Sequence, residues 1–388
     1  MLSGVRAAGL ALVTAGSLVT APAPALATTD GAVRPHVQHI QLGTRHAPES
    51  GARRTGEALV FRRDRVRGFS AYGVSWAHRD GLDVSVTGRV RRAGSWTPWQ
   101  PLDVDASPRP GATRAGSGLV WTGPSHGIEI AVRAAGADPP RLRLDLIDPR
   151  DLPADHRPAT TSDRRAATAS DRRAVPVGDR ASTAGGTSRA PQQPEIVRRA
   201  GWGADESKMT WQPEYADTLS AITLHHTATS SDYRAEDVPK IMRSIYQYHA
   251  VSLEWGDIGY HVLVDRFGRL WEGRTGGLDK PVIGAHAGGF NDRTAGISMI
   301  GTYTETEVPD EVVDAAARYI AWRFAPYGID PRGSTRLTGG PNTKYDSRVT
   351  VTVPRVFPHR ETSRTECPGE QGMAVLGRIR EAAYRYGE

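Results

Sequence analysis

Between residues 150 and 193 the chain carries few large apolar side chains, and that stretch limits how everything around it can fold. Asp163-Arg164-Arg165-Ala166, Asp171-Arg172-Arg173-Ala174 and Asp179-Arg180-Ala181 recur there among Ala, Thr, Ser and Gly. Such a segment cannot bury enough apolar area to offset the entropy lost on ordering, so 149–193 reads as a flexible linker. A chain of 388 residues interrupted in this way suits two domains plus unstructured material. Its 38% hydrophobic residues, with 42 glycines added, reach the ordinary globular fraction and exclude a wholly disordered chain.

The first 27 residues read as a secretory signal. Arg6 gives a basic start, Ala7 to Val19 is small and apolar, and Ala25-Leu26-Ala27 supplies the cleavage pattern. The expectation is a secreted, cell-wall-associated protein. The apolar run is too short to span a bilayer and no other run approaches that length, so no stable membrane span is expected.

From 56 to 148 short segments alternate apolar with polar residues, as in Ser70 to Trp76, Asp83 to Val90, Gly127 to Val132 and Leu142 to Leu146. That period belongs to half-buried strands, and the spacing predicts a small antiparallel sandwich, an N-terminal all-β domain. Trp76, Trp96, Trp99 and Trp121 suit its core, although an aromatic face also suits a sugar ring. Residues 194–388 read as α/β, a mixed central sheet flanked by helices. Strands are predicted at Ala221 to His226, Tyr260 to Asp265, Arg269 to Gly273, Val282 to His286, Ala295 to Ile300 and Val349 to Phe357. Helices are predicted over 236–250, 309–327 and 370–386.

The net charge is +6, with lysine only at 208, 240, 280 and 344, so nearly all the positive charge is arginine. Basic residues alternate with acids and no nucleic-acid-binding motif accompanies them, so no nucleic-acid partner is expected. Glu305 and Glu307 could suggest a glycosidase pair, but they fall on a loop where charge is ordinarily solvated.

Cysteine occurs once, at Cys367, so no intramolecular disulfide can form. A lone thiol eight residues after His359 is a candidate pair of zinc ligands, and the strand pair His225-His226 offers a third. Side chains alternate along a strand, so His226 shares a face with Ile222 and Leu224, while His225 shares one with Thr223 and Thr227. His225 therefore takes the more polar face and the ligand position. A His–His–Cys set leaves a fourth tetrahedral position open, as catalytic zinc requires. The same residues also fit satisfied core histidines beside an inert thiol.

Six ordered motifs decide between these. Ile222 to Ala228, Trp255-Gly256-Asp257-Ile258-Gly259-Tyr260-His261, Glu272-Gly273-Arg274, Ile283 to Ala287 with Phe290-Asn291, Gly296 to Gly301, and His359-Arg360 with Thr365-Glu366-Cys367-Pro368-Gly369 together resemble the peptidoglycan recognition protein family. That family shares a zinc amidase fold with phage-type N-acetylmuramoyl-L-alanine amidases. The resemblance covers 194–388, and the long N-terminal extension is similar to secreted actinobacterial members. It implies zinc on His225, His359 and Cys367, a catalytic tyrosine at Tyr260, and Thr365 where phage members carry lysine. It further implies that His249, Arg274, His286 and Asn291 line the substrate groove, where an arginine fork could grip a stem-peptide carboxylate.

On this resemblance, Tyr260 would orient a water or donate to the oxyanion, and Thr365 would donate to the tetrahedral intermediate. The implied activity is hydrolysis of the lactyl–L-alanine amide of bacterial peptidoglycan by a monomer that contacts muropeptide stem and glycan. A receptor that holds peptidoglycan without cutting it, and a surface protein with a structural zinc, stay open as alternatives. Two departures from the family stand out: Pro358 where many relatives have glycine, and no cysteines near Tyr233 or Phe267, where relatives often carry a disulfide.

Overall fold

The computed structural model describes residues 35–42, 51–79, 81–105, 113–136, 138–156, 190–340, 343–345 and 348–388. The stretch read as a secretory signal lies outside the described residues, as does 157–189 of the linker.

The N-terminal half is built from two antiparallel sheets. One runs His36–Gln41, Arg143–Asp148, Phe69–Ala77, Arg114–Ser117 and Val104–Asp105, with Val120–Ser125 also pairing Phe69–Ala77. The other runs Ala52–Thr55, Ala58–Arg63, Gly127–Ala134, Val84–Arg92 and Ser95–Trp96, with Gln100–Leu102 also on Val84–Arg92. Alternate residues of each sheet, among them Tyr72, Val74, Trp76, Val86, Val90, Ile128, Ile130, Leu144 and Leu146, meet in a common core. Of the four tryptophans, Trp76 and Trp121 are buried. Trp99 is 43% exposed, and the Arg89 guanidinium lies 5.1 Å from the Trp96 ring and 4.9 Å from that of Trp99.

The centre of the first sheet is buried on both faces rather than one. Its outward residues along Phe69–Ala77 are small, Ala71, Gly73 and Ser75, and they form a hollow for Tyr248 of the C-terminal half. A Cβ built on Gly73 would lie 2.4 Å from Tyr248 Cζ, and one on Gly116 would lie 2.7 Å from Leu253. Tyr248 is fully buried and its hydroxyl donates to the Val74 carbonyl at 3.0 Å. Ala71, Leu119, Trp121 and Ile147 of the sandwich belong to one apolar cluster with Trp202, Ile241, Met242, Ile245 and Tyr246. The described residues of both halves accordingly belong to one compact unit. Leu152 to His156, inside the segment read as linker, joins this unit: Arg243 binds the buried Asp155 through both terminal nitrogens at 3.0 and 2.6 Å. The same guanidinium donates to the carbonyls of Trp202, Arg150 and Pro149.

The C-terminal half centres on a six-stranded sheet in the order Ile196–Val197, Leu270–Glu272, Val262–Val264, Thr294–Met299, Ala221–His226, Val356–Pro358. All neighbours are parallel except Val262–Val264 with Leu270–Glu272. Ile222, Leu224, Val262, Ile297 and Met299 face the helices Asp310–Phe324 and Leu376–Gly387. His225, one residue out of phase with that face, points to the opposite side. The helix Val238–Tyr246 continues through a π-type turn, Gln247–Ser252, which carries His249.

Three predicted elements differ from the structure. Val282 to His286 is not a strand. Only Val282 bridges, to Tyr215, and the amides that follow go singly to Glu214, Gly259 and the Asn291 side chain, so no ladder forms. The predicted strand Val349 to Phe357 is divided at Arg355, one part pairing Ser334–Thr338 and the other joining the central sheet. The closing helix is divided at Val375. Where relatives often carry a disulfide, Tyr233 packs edge-on to Phe267 at 6.1 Å, and its hydroxyl accepts from Arg266 N and donates to the Ile300 carbonyl. Among the described residues no helix is long and apolar enough to cross a membrane.

Candidate metal centre

Parallel pairing brings the ends of three segments together. His225 is the penultimate residue of the Ala221–His226 strand, His359 follows directly on the adjacent Val356–Pro358 strand, and Cys367 returns on the loop beyond it. Pro358 lies in extended backbone at that strand's end, φ −78° and ψ 151°, which suits proline. All three side chains are buried, and one ligand atom from each lies within 4.8 Å of the others. Cys367 Sγ is 3.7 Å from His225 Nδ1. Bonds of about 2.0–2.1 Å to nitrogen and 2.3 Å to sulfur put tetrahedral ligand atoms about 3.3–3.8 Å apart, so the pair fits zinc.

The surroundings favour ligation. Burial, reinforced by the neighbouring histidines, holds His225 well below the usual imidazole range, and burial pushes His359 down to about 3. Both rings are therefore neutral at pH 7 with lone pairs to offer. His359 Nε2 has no hydrogen-bond partner. The His226 amide donates to Cys367 Sγ at 3.3 Å, which stabilises negative charge on sulfur. The His226 ring turns away and accepts from Tyr303 N.

The remaining residues singled out by sequence surround the trio in distinct ways. His286 Nδ1 lies 3.1 Å from His225 Nε2, leaving the other ring nitrogen of His225 towards Cys367. The His286 ring needs Gly296 beneath it, since a Cβ there would come within 2.5 Å of its Cγ. Asn291 Oδ1 accepts from the amides of His286 and Ala287 at 2.8 and 2.9 Å and so shapes the turn that places His286. The Tyr260 ring is 5.1 Å from that of His225 and 5.6 Å from that of His249. His249 packs on Trp255 and accepts from Gly259 N.

Arg274 is only 3% exposed and its fork is turned inward. Nε donates to the Ile283 carbonyl, Nη1 to that of Ile258, and the guanidinium lies 3.7 Å over the Trp211 ring. It thereby holds the 258–260 turn that presents Tyr260. Asp257 pins the same turn, accepting from Arg199 Nη1, Ile258 N and Thr275 N. Thr365 Oγ1 accepts from Cys367 N at 3.1 Å and faces both carboxylate oxygens of Asp103 at 3.3 Å. Glu305 and Glu307 are exposed, unlike the buried trio. Sequence reasoning missed His261, Asp103 and the orienting role of His286. His261 Nδ1 accepts from Gly296 N and its Nε2 meets the Val282 carbonyl.

This histidine-rich interior makes the fold sensitive to acid. Burial pushes His249 and His261 down to about 3 and His226 to about 4, whereas in the unfolded chain each titrates near 6.5. Below pH 6.5 the unfolded state binds protons that the folded state refuses. Stability is therefore full above that pH and falls as pH drops towards 4, by about 1.4 kcal/mol per unit for each blocked proton. Urea midpoints of metal-free protein at pH 7.5 and pH 5 should show a clear loss at the lower pH; equal midpoints would refute the assignment.

A mixed sheet that gathers a buried His–His–Cys trio beside a tyrosine defines an amidase-type fold with a candidate metal centre. The chain belongs to the family of peptidoglycan-recognition proteins and N-acetylmuramoyl-L-alanine amidases. The family model for N-acetylmuramoyl-L-alanine amidase matches residues 215–370, and that described as Rv3811 N-terminal galactose-binding domain-like matches 23–170. Peptidoglycan-recognition protein SC1a of Drosophila melanogaster is 30% identical over 174 residues, 45% of this chain and 80% of the relative. The solved structure of Drosophila PGRP-LB is 28% identical, covering 47% of this chain and 92% of that one with a TM-score of 0.37. Peptidoglycan recognition protein-LE, solved in complex with tracheal cytotoxin, a monomeric diaminopimelic acid-type peptidoglycan, is 24% identical over 45% of this chain and 88% of that one, TM-score 0.35.

Proposed function

We propose that this chain is a zinc-dependent N-acetylmuramoyl-L-alanine amidase that hydrolyses the amide between the lactyl group of N-acetylmuramic acid and the L-alanine of the stem peptide. The observation that carries this reading is the buried trio His225, His359 and Cys367, able to hold a metal ion, with the Tyr260 ring 5.1 Å from that of His225. Bound zinc would polarise the scissile carbonyl and acidify a water at its open position. His286 meets His225 at its other ring nitrogen, and the His226 amide donates to the Cys367 sulfur, a contact that favours the thiolate a metal would take. Tyr260, held by the Arg274 and Asp257 contacts to its turn, is placed to orient the attacking water or donate to the developing oxyanion. The Thr365 hydroxyl has a single proton, and its contact with Asp103 competes for it, so oxyanion donation falls first to Tyr260.

The partner on this reading is bacterial peptidoglycan, stem and glycan together, met outside the cytoplasm after export through the first 27 residues. Purified peptidoglycan treated with zinc-loaded protein should release free L-alanine amino termini, and a chelator should abolish the release until Zn²⁺ is restored. Protein with confirmed zinc that frees no termini from several peptidoglycan types, yet binds intact muropeptide stoichiometrically, would be a receptor instead.

A further inference from the structure

The sandwich contributes a carboxylate to the loop that carries the thiol ligand. Asp103 sits between the short strands Gln100–Leu102 and Val104–Asp105, and its own carbonyl accepts from Gly118 N at 2.7 Å, fixing the bend from behind. Gly118 in turn lies against the exit of the ligand strand, where a Cβ would meet Thr227 O at 3.6 Å, and Trp121 N donates to Thr229 Oγ1 one step further on. This edge of the sandwich therefore touches both the segment that leaves His225 and the segment that leads into Cys367.

The donors and acceptors along the second contact run in one direction. Cys367 N–H donates to Thr365 Oγ1 at 3.1 Å, and the Thr365 hydroxyl donates to the Asp103 carboxylate, equidistant at 3.3 Å from both oxygens. The hydroxyl accepts once and donates its single proton, which holds the Thr365 rotamer and the main chain at Cys367 together. We propose that Asp103 is a positioning residue of the metal centre, acting through Thr365 on the Cys367 loop, so that the sandwich completes a zinc site whose ligands all lie in the other half of the chain. The inference rests on the zinc reading above but not on hydrolysis. Groups that orient metal ligands from outside the coordination shell commonly govern about 10–100-fold in metal affinity. A thiolate on a loop held in place beforehand loses less freedom when the metal arrives.

Zinc affinity of the full-length chain, measured by competition with a chromophoric chelator and without substrate, tests this. Asp103→Ala should weaken zinc binding by about 10–100-fold, and Thr365→Val by a similar factor. The double variant should be no weaker than either single one, because the two residues act in series. Asp103→Asn, which keeps an acceptor oxygen, should retain most of the affinity. Thr113→Ala, which breaks a different contact across the same seam, to Glu254, should bind zinc like the wild type. Unchanged affinity in Asp103→Ala, additive losses in the double variant, or an equal loss in Thr113→Ala would overturn the proposal. A wild-type chain that takes up no zinc would overturn it together with the zinc reading. Zinc uptake governed by Asp103 in a protein that cuts nothing would support it while removing the amidase reading alone.

Discussion

Cys367→Ser is expected to lose zinc affinity by more than the roughly 10–100-fold associated with outer-shell partners, and with it chelator-sensitive hydrolysis. The loss follows from the donor set. Removing the one thiolate leaves two neutral imidazoles, and a serine hydroxyl is a poor ligand at neutral pH because it does not ionise there. The fold should survive. Cys367 is buried but small, the replacement is close in shape, and the incoming oxygen can still accept from His226 N. Elemental analysis of dialysed protein, paired with circular dichroism of the metal-free forms, separates the two effects. Serine variant that keeps stoichiometric zinc and full activity would remove Cys367 from the ligand set.

The second large effect concerns stability. Arg243→Ala should destabilise the chain by about 3–5 kcal/mol in urea titration, the range found when one member of a buried ion pair is removed. Asp155 would be left as an uncompensated buried charge, and the carbonyls of Trp202, Arg150 and Pro149 would lose a donor. Replacing both partners, as in Arg243→Met with Asp155→Leu, should cost clearly less, since no orphaned charge remains. A loss below about 1 kcal/mol in the single variant would mean that water reaches Asp155 and the pair is not buried in solution. Because one apolar cluster spans both halves, unfolding of the wild type should follow one cooperative transition by fluorescence and circular dichroism alike.

The parts of the site written in local periodicity were legible from the sequence. Strand alternation separates His225 from His226, and the structure shows their side chains on opposite sides, one towards Cys367 and the other towards Tyr303. What depends on partners distant in sequence was not legible. Asp103 and Thr365 are 262 residues apart, and no spacing rule links an acid in a sandwich loop to a threonine beside a thiol. Arg274 reads as a fork for a substrate carboxylate because its residue type suits one. Whether two backbone carbonyls and a tryptophan face already occupy it depends on how three loops converge. Val282 to His286 shows the limit of hydrophobic pattern: its side chains suit a strand, but strand identity requires a neighbour offering successive amides and carbonyls, and this segment has three different neighbours. The small residues on the outer side of Phe69–Ala77 were a signal of a second kind. Ala71, Gly73 and Ser75 mark a surface made for close approach, although nothing local says that Tyr248 is what approaches.

That hollow also bears on how such a chain can be rearranged in evolution or by engineering. Recombination exchanges domains freely when their junction is a tether, but here Tyr248 sits on two glycines of a foreign sheet, beside the histidine that packs against Tyr260. A different N-terminal module grafted onto this C-terminal half would have to bring its own glycine-floored seat for the ring, or leave a large aromatic without a home next to His249. The two halves are therefore expected to travel through gene fusions as a matched pair, and chimeras should be judged first by whether they preserve that seat.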